Sequence, residues 1–381
     1  MNVIIAIDSL KGCLTSCQAN EAAREAVWER WPDAEVVCLP VSDGGEGFLD
    51  AVASLVSLHE GGGSWQRITV EVLDPLMRPI QADYLISLPP GESEGGIAVI
   101  ELAQASGLAL LKPEERNPLI ASSYGTGQLI ADALRHRPRE IVVGLGGSAI
   151  SDCGRGMLEA LPSSSFSLPK FLIATDVTNP LLGPQGAAHT FARQKSAPSL
   201  SPQTLSAMVD ELEARASAFA SESARLLGHD CSREPGAGAA GGVGYALMQY
   251  LGAQRLSGID YVLDLARFDD LLSTADLIIT GEGHADRQTL MGKLPMGILR
   301  RAKSFTASRL RLPGGTSTPS VPNVILVAGQ VSDSEALLSA GFSCILPITP
   351  PDMPLSEALR PEVARRNIQE AIKRASCFPP C

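Results

Sequence analysis

Seven short apolar runs set the strongest limit on the fold: VIIAI (3–7), AEVVCL (34–39), EIVVG (140–144), FLIAT (171–175), DLIIT (276–280), NVILVA (323–328) and CILPI (344–348). Their apolar character is continuous where a strand with one wet face would alternate, so both faces must be covered, as in a parallel sheet with helices above and below. Between them, apolar residues recur at three- and four-residue spacing over 16–31, 45–58, 125–136, 203–227, 239–251, 291–303, 333–340 and 355–375, the pattern of amphipathic helices. Strands that alternate with helices indicate an α/β fold. Residues 67–102 break this rhythm: period-two segments joined by PLM and PPGESEGG suit antiparallel hairpins. The change divides the chain into 1–66 plus 262–381, one discontinuous doubly wound parallel-sheet domain, and 67–261, a second α/β domain inserted into it. A small ligand is expected in a cleft between the two.

With 381 residues the chain is long enough for two cores of ordinary size. Hydrophobic residues make up 45% and charged residues 19%, which leaves little sequence for extended disorder. A formal net charge of -11, with no basic patch against it, makes nucleic acid and anionic lipid poor partners. No apolar stretch reaches the ~20 residues of a membrane span, and the opening MNVIIAIDS reads as a strand, too short for an export signal. The eight cysteines are scattered, with neither a CxxC pair nor a His at zinc spacing, and are expected as reduced thiols of a cytoplasmic protein. GGTSTPSV (314–321) reads as an exposed, mobile loop.

Six segments carry residues suited to chemistry. In DSLKG (8–12), Asp8 and Lys11 could hold a metal and a phosphate, or form a surface turn leading into a helix. In SDGGEG (42–47), Gly44 and Gly45 let the backbone approach a ligand while Asp43 and Glu46 suit Mg2+ or a hydroxyl proton; a helix-capping pair of Asp43 and Glu46 is the alternative. GLGGSAISDCGRG (144–156) is a glycine turn between strand and helix, with Gly146, Gly147 and Ser148 as an anion cradle and Asp152 as a metal contact or a helix cap. Gly144, Gly146 and Ala149 also fit a dinucleotide fingerprint, without the acidic residue expected ~20 residues on. ATDVTNP (174–180) puts Asp176 at a strand end as a metal or substrate carboxylate, and Asn179 before Pro180 in the form of a helix N-cap. EPGAGAAGGVG (234–244) repeats the fingerprint without a preceding strand and reads first as close packing. TGEGHADRQTLMGK (280–293) is the richest, a loop that gathers Glu282, His284, Asp286, Arg287 and Lys293. Phosphoryl transfer needs an orienting or basic carboxylate, a metal and cations that neutralise the transferred group, and these residue types supply them; His284 could equally be a neutral hydrogen-bonder.

In their order along the chain these segments resemble those of type I glycerate kinases. IDSLKGCLTS (7–16) is similar to the family's PDSFKGSLS, DGGEG (43–47) is identical, and GGSAISDCG (146–154) is similar to GGSATNDGG. Residues 176–187 match DVTNPLLGPQGA, 235–242 match PGAGAAGG, and 281–298 match GEGRLDxQTLxGKxPxGV, so the resemblance runs almost end to end. It implies phosphorylation of D-glycerate with ATP and Mg2+ as cofactors, giving 2-phosphoglycerate, on a two-domain fold whose discontinuous domain is Rossmann-like. The residues expected to carry this are Asp286, Glu282, Lys293 and Lys11 in catalysis, with either Glu282 or Asp286 as the base. Asp8, Gly44, Gly45, Gly146, Gly147, Ser148, His284 and Arg287 are expected to contact substrate or nucleotide, and Asp43, Glu46, Asp152 and Asp176 to bind metal. The partners expected are glycerate and ATP, with no nucleic acid or membrane, and a homodimer is left open. His284 stands where the family usually has Arg, Ile7 where it has Pro and Ser151 where it has Asn. The connection from Leu161 to Pro169 is shorter than in relatives, and 304–321 is longer. An inactive paralogue that binds glycerate or nucleotide, and a NAD(P)-dependent oxidoreductase, are the alternatives.

Overall fold

The computed structural model describes residues 1–57, 64–88, 95–162, 168–287, 289–310 and 322–376. The loop expected at 314–321 and most of the shortened connection before Pro169 lie outside the described residues. The strands are β1 (Asn2–Ile7), β2 (Glu35–Cys38), β3 (Ser64–Leu73), β4 (Pro79–Leu88), β5 (Ile97–Glu101), β6 (Glu140–Gly144), β7 (Lys170–Ala174), β8 (Gln254–Leu256), β9 (Leu277–Ala285), β10 (Asn323–Val331) and β11 (Cys344–Pro347). They form two sheets in a mixed α/β chain that separates into two compact units. One comprises Met1–Ser42, Asp50–Leu58 and Ile259–Cys381, the other Asp43–Leu49 and His59–Gly258.

The first unit holds an all-parallel sheet in the order β11-β10-β9-β1-β2. The chain winds outward from β1 to β2 on one side and from β9 through β10 to β11 on the other, so its direction reverses between β1 and β9. In open sheets of this kind the crevice outside the carboxyl ends at that reversal is where ligands bind. Val3 to Ile7 and Leu277 to Ile279 are at most 3% exposed, which is why these runs show no polar alternation. Val3, Ile5 and Ile7 share one cluster with Ala19, Ala22, Ala23, Ala26 and Val27 of the helix Ser16–Arg30, and with Ile368 and Ile372 of the helix Pro361–Arg374. The alanine face lets the first helix lie close to the sheet. Thr15 and Gln18 start that helix as a reciprocal capping box.

Two buried polar side chains of this helix fix the strand ends. Asn20 accepts the Ile7 N–H through Oδ1 at 2.8 Å and donates from Nδ2 to the Leu39 carbonyl at 2.8 Å. The Ser16 hydroxyl donates to the Ile7 carbonyl at 2.6 Å and accepts the Val41 N–H at 3.0 Å. Together they tie the end of β1 to the segment after β2 and set the point from which Asp8 leaves the sheet.

The second unit holds a six-stranded sheet in the order β3-β4-β5-β6-β7-β8. The pairs β3–β4 and β4–β5 are antiparallel, the hairpin expected from 67–102, and β5 to β8 are parallel. Glu101, Gly144 and Ala174 stand abreast at the carboxyl ends of β5, β6 and β7.

Several elements differ from the sequence reading for identifiable reasons. The segment from Glu282 to Ala285 is strand, not loop, because β10 also continues and pairs with it as far as Val331. The helix expected over 355–375 is two, Leu355–Ala358 and Pro361–Arg374, since Pro361 can begin a helix but not continue one. β8 has the polar sequence QRL and gives no apolar signal. Cys344 is disulfide-bonded, while Cys13, Cys17, Cys38, Cys153 and Cys231 are free, so the expectation of eight reduced thiols is corrected at Cys344. Among the described residues no helix is long and apolar enough to cross a membrane.

Asn20→Ala leaves the Ile7 N–H and the Leu39 carbonyl buried without partners, each worth about 1–3 kcal/mol. Urea unfolding should show a loss of that order per group with an unchanged slope.

Candidate active site

The reversal between β1 and β9 brings Asp8 beside the start of the acidic segment: the Asp8 N–H donates to the Gly281 carbonyl at 2.9 Å. One residue on, Glu282 points a carboxylate whose side chain is only 8% exposed. Its Oε1 accepts the Thr289 hydroxyl at 2.5 Å, and its Oε2 lies 3.1 Å from the Lys293 ammonium. The same Thr289 oxygen accepts the Asp286 N–H at 3.0 Å, so one fully buried hydroxyl ties the two acidic residues together. Lys293 also reaches Asp286 Oδ1 at 3.8 Å and donates to the His284 carbonyl at 3.4 Å. Burial pushes the Glu282 carboxyl up from its ordinary range, and the Thr289 hydroxyl and the Lys293 charge hold it back. The result is an ammonium fixed between two carboxylates, the deeper one committed on both oxygens.

Not every residue expected here joins the cluster. His284 is exposed, with Nε2 3.2 Å from the Ser332 hydroxyl, which is the hydrogen-bonding reading. Arg287, 80% exposed, lies 3.7 Å from Asp333. Lys11 is exposed on a tight turn closed by the Leu10–Leu14 bridge. Asp8 accepts its neighbour Ser9 N–H at 2.7 Å.

In the second unit, two glycine segments pack backbone to backbone. The Gly146 N–H donates to the Gly44 carbonyl at 2.9 Å, and a Cβ on Gly146 would lie 2.3 Å from the Gly45 Cα. Gly44 has φ +94, and a Cβ there would sit 2.3 Å from the Ala174 carbonyl oxygen. Neither position accepts a side chain. The capping pair considered for Asp43 and Glu46 is not formed: the helix starts at Phe48, and Asp43 Oδ1 instead accepts the Gly45 N–H at 3.1 Å. The N–H groups of Gly47 and Leu49 are taken by Glu101, at 3.3 and 2.9 Å. Glu101 is buried at the end of β5 and was not singled out in sequence; its only signal is an acidic residue closing an apolar run.

Gly147 is exposed, and a Cβ on it would meet nothing nearer than Ala103 Cβ at 3.4 Å and Glu46 N at 3.7 Å. Ser148 beside it is buried and bridges to Gly107. Asp152 lies two residues before the Gly154 N-cap: its Oδ2 accepts the Ser123 N–H (2.8 Å), the Ser123 hydroxyl (2.7 Å) and the Gly156 N–H (3.2 Å), and its Oδ1 accepts the Gly154 N–H (3.0 Å). Both of its oxygens are thus engaged by backbone and hydroxyl donors around the start of the helix Arg155–Ala160. Asp176 is half-buried just past β7. Among the described residues no three Asp, Glu, His or Cys side chains form a group that could hold an ion. Asn179 caps no helix; its Nδ2 donates to the Gln185 carbonyl at 2.7 Å and closes a loop. The segment 234–244 is close packing, as expected: Ala239 to Gly242 are buried, and a Cβ on Gly241 would lie 2.1 Å from the Ile150 oxygen.

Residues 3–167 and 163–377 match the sequence profile described as the glycerate kinase family. The chain belongs to the glycerate kinase family. It is 36% identical to the glycerate kinase of Bacillus subtilis (strain 168) over 411 aligned positions, covering 98% of each chain. It is 35% identical to the glycerate 2-kinase of Escherichia coli (strain K12), covering 80% of this chain and 83% of that one. A crystal structure from Salmonella typhimurium LT2 named for glycerate kinase 2 superposes with a TM-score of 0.71 at 32% identity, covering 98% and 96% of the two chains. The two matched pieces of the profile overlap at 163–167.

Thr289→Val keeps the shape of the side chain but strips Glu282 Oε1 and the Asp286 N–H of their partner. Glu282 should then titrate higher still, because the bond that lowers its pKa is gone. Its carboxyl is already raised by burial, so its ionised form accumulates only as pH climbs through that raised value. Because Glu282 sets the place of Lys293, the acid limb of kcat should move to higher pH, and the lost hydrogen bond should lower kcat by about tenfold, ~1.4 kcal/mol. A pH–rate profile of variant against parent checks both.

Proposed function

We propose that the chain is a type I glycerate kinase that transfers a phosphoryl group from ATP, bound with Mg2+, to D-glycerate. The observation that carries this reading is the Glu282–Lys293–Asp286 arrangement at the winding reversal of a parallel sheet, in a chain of this family. Lys293 would neutralise charge on the transferred group, and its position is set by Glu282 and Thr289. Asp286 would take the proton of the attacking hydroxyl: its side chain is 28% exposed against 8% for Glu282, whose oxygens are both engaged.

The nucleotide phosphates would lie against Gly147 and Ser148, where an exposed glycine stands beside the Glu46 main chain. Gly44, Gly45 and Gly146 would act by letting the two backbones close on each other. Mg2+ normally takes one or two carboxylates together with phosphate oxygens and water, which suits half-buried Asp43 and exposed Glu46. When bound it would supply positive charge beside the phosphates. The product would be 2-phosphoglycerate, a reading supported by the resemblance and by the relative named glycerate 2-kinase.

A coupled ADP-release assay with D-glycerate and Mg-ATP should show turnover; a folded protein inert towards every small hydroxy acid would sink the proposal. Asp286→Asn should fold normally and lose about 10²–10⁴ in kcat, whereas unchanged turnover would remove Asp286 from the mechanism. Phosphorus NMR of the product should show the phosphate on the C2 oxygen, and a C3 ester would overturn that assignment alone.

A further inference from the structure

A buried charge in the second unit takes no part in the chemistry above. Lys195 closes the turn Arg193–Lys195 after the helix Ala187–Phe191 and is 3% exposed. Its Nζ makes one hydrogen bond among the described residues, to the Ile150 carbonyl at 2.7 Å, and lies 6.0 Å from the centroid of the Phe191 ring. An ammonium carries three donors, so burying it against a single carbonyl is costly. Burial accordingly pulls its pKa down to about 7, opposed by Asp152 and Cys153, the charged and titratable groups that face it. Arg155 and Glu213 act in turn on Cys153.

Ile150 lies two residues beyond Ser148, in the segment that carries the glycine turn onward. The Ala149 N–H donates to the Ser106 carbonyl at 2.9 Å and the Cys153 N–H to the Gly241 carbonyl at 3.1 Å, while Asp152 is held by Ser123. Lys195 is the anchor between these points and brings a positive charge shielded from water.

We propose that Lys195 is a positioning residue for the phosphate-binding turn: by holding the Ile150 carbonyl it fixes the shape in which Gly147 and Ser148 meet an anion, and its charge favours that anion. This rests on the reading of Gly147 and Ser148 as the phosphate contact. Lys195→Met has nearly the same volume and removes an under-partnered buried charge, so it should fold. Sulfate, whose charge is constant across the range, is the probe. Wild-type affinity for sulfate, measured by calorimetry, should fall several-fold between pH 6 and pH 8.5 as the lysine loses its proton. Lys195→Met should bind weakly at both and show no such fall. In turnover, KM for ATP should rise roughly tenfold with kcat and KM for glycerate little changed, a split that general loosening of the fold does not give. Should Lys195→Met not fold, Lys195→Gln, which keeps a donor without the charge, carries the same measurements. Sulfate affinity and pH dependence equal to wild type in a folded variant, or an unchanged KM for ATP, overturns the proposal. A wild-type protein without kinase turnover but with the expected sulfate behaviour would instead count against the kinase reading alone.

Discussion

A strand covered on both faces has no place along its length for a polar side chain without a partner. In the first unit, Ile4, Ile5, Ile278, Ile279, Ile325 and Leu326 are all nearly or wholly excluded from water, and in the second so are Ile141, Val142 and Val143. Polar groups are then forced to the places where the strands stop, and there each must find a partner. The carboxyl ends are crowded for that reason: Asn20 and Ser16 serve β1, Glu101 serves the start of the helix Phe48–Ser57, and Asp152 serves two further helix starts. The acidic residues at these ends thus differ in how much of their hydrogen-bonding capacity the backbone takes.

That difference is what the sequence could not resolve by itself. The continuous apolar runs made the parallel sheets legible, and period-two residues made the β3–β4 hairpin legible, because burial writes directly into residue type. Asp152 and Asp43 look alike in a one-dimensional string, each an acidic residue beside glycines. Only the fold shows that Asp152 spends four hydrogen bonds on Ser123, Gly154 and Gly156 while Asp43 spends one on Gly45. Thr289 was invisible for the opposite reason: a threonine among charged residues gives no signal until its hydroxyl is seen between Glu282 and the Asp286 N–H. Lys195 is harder still, since a lysine in RQK reads as surface and its burial depends on what packs around it.

Within the acidic cluster, the roles follow from depth. Glu282 is buried, and its hydrogen bond to Thr289 and contact with Lys293 offset the cost of its charge there. Asp286, four residues further along and just past the end of β9, is more open, and its N–H donates to the same threonine. A pair of carboxylates in one short segment can in this way fill different offices, one structural and one exposed to a reactant, without differing in residue chemistry. His284, standing where an arginine is usual in the resemblance, faces Ser332 and takes no part in that pairing.

The contact of Gly44 and Gly45 with Gly146 has a mechanical side. With 2.3 Å between a notional Cβ on Gly146 and the Gly45 Cα, and a hydrogen bond from Gly146 to Gly44, neither segment can shift against the other without a collision or a broken bond. The two turns therefore move as one body, although about a hundred residues of chain separate them. Through Glu101, which grips the N–H groups of Gly47 and Leu49, that body extends to the tip of β5 and the first turn of the following helix. Gly147, the next residue after Gly146, is thereby kept at a set distance from the Glu46 main chain.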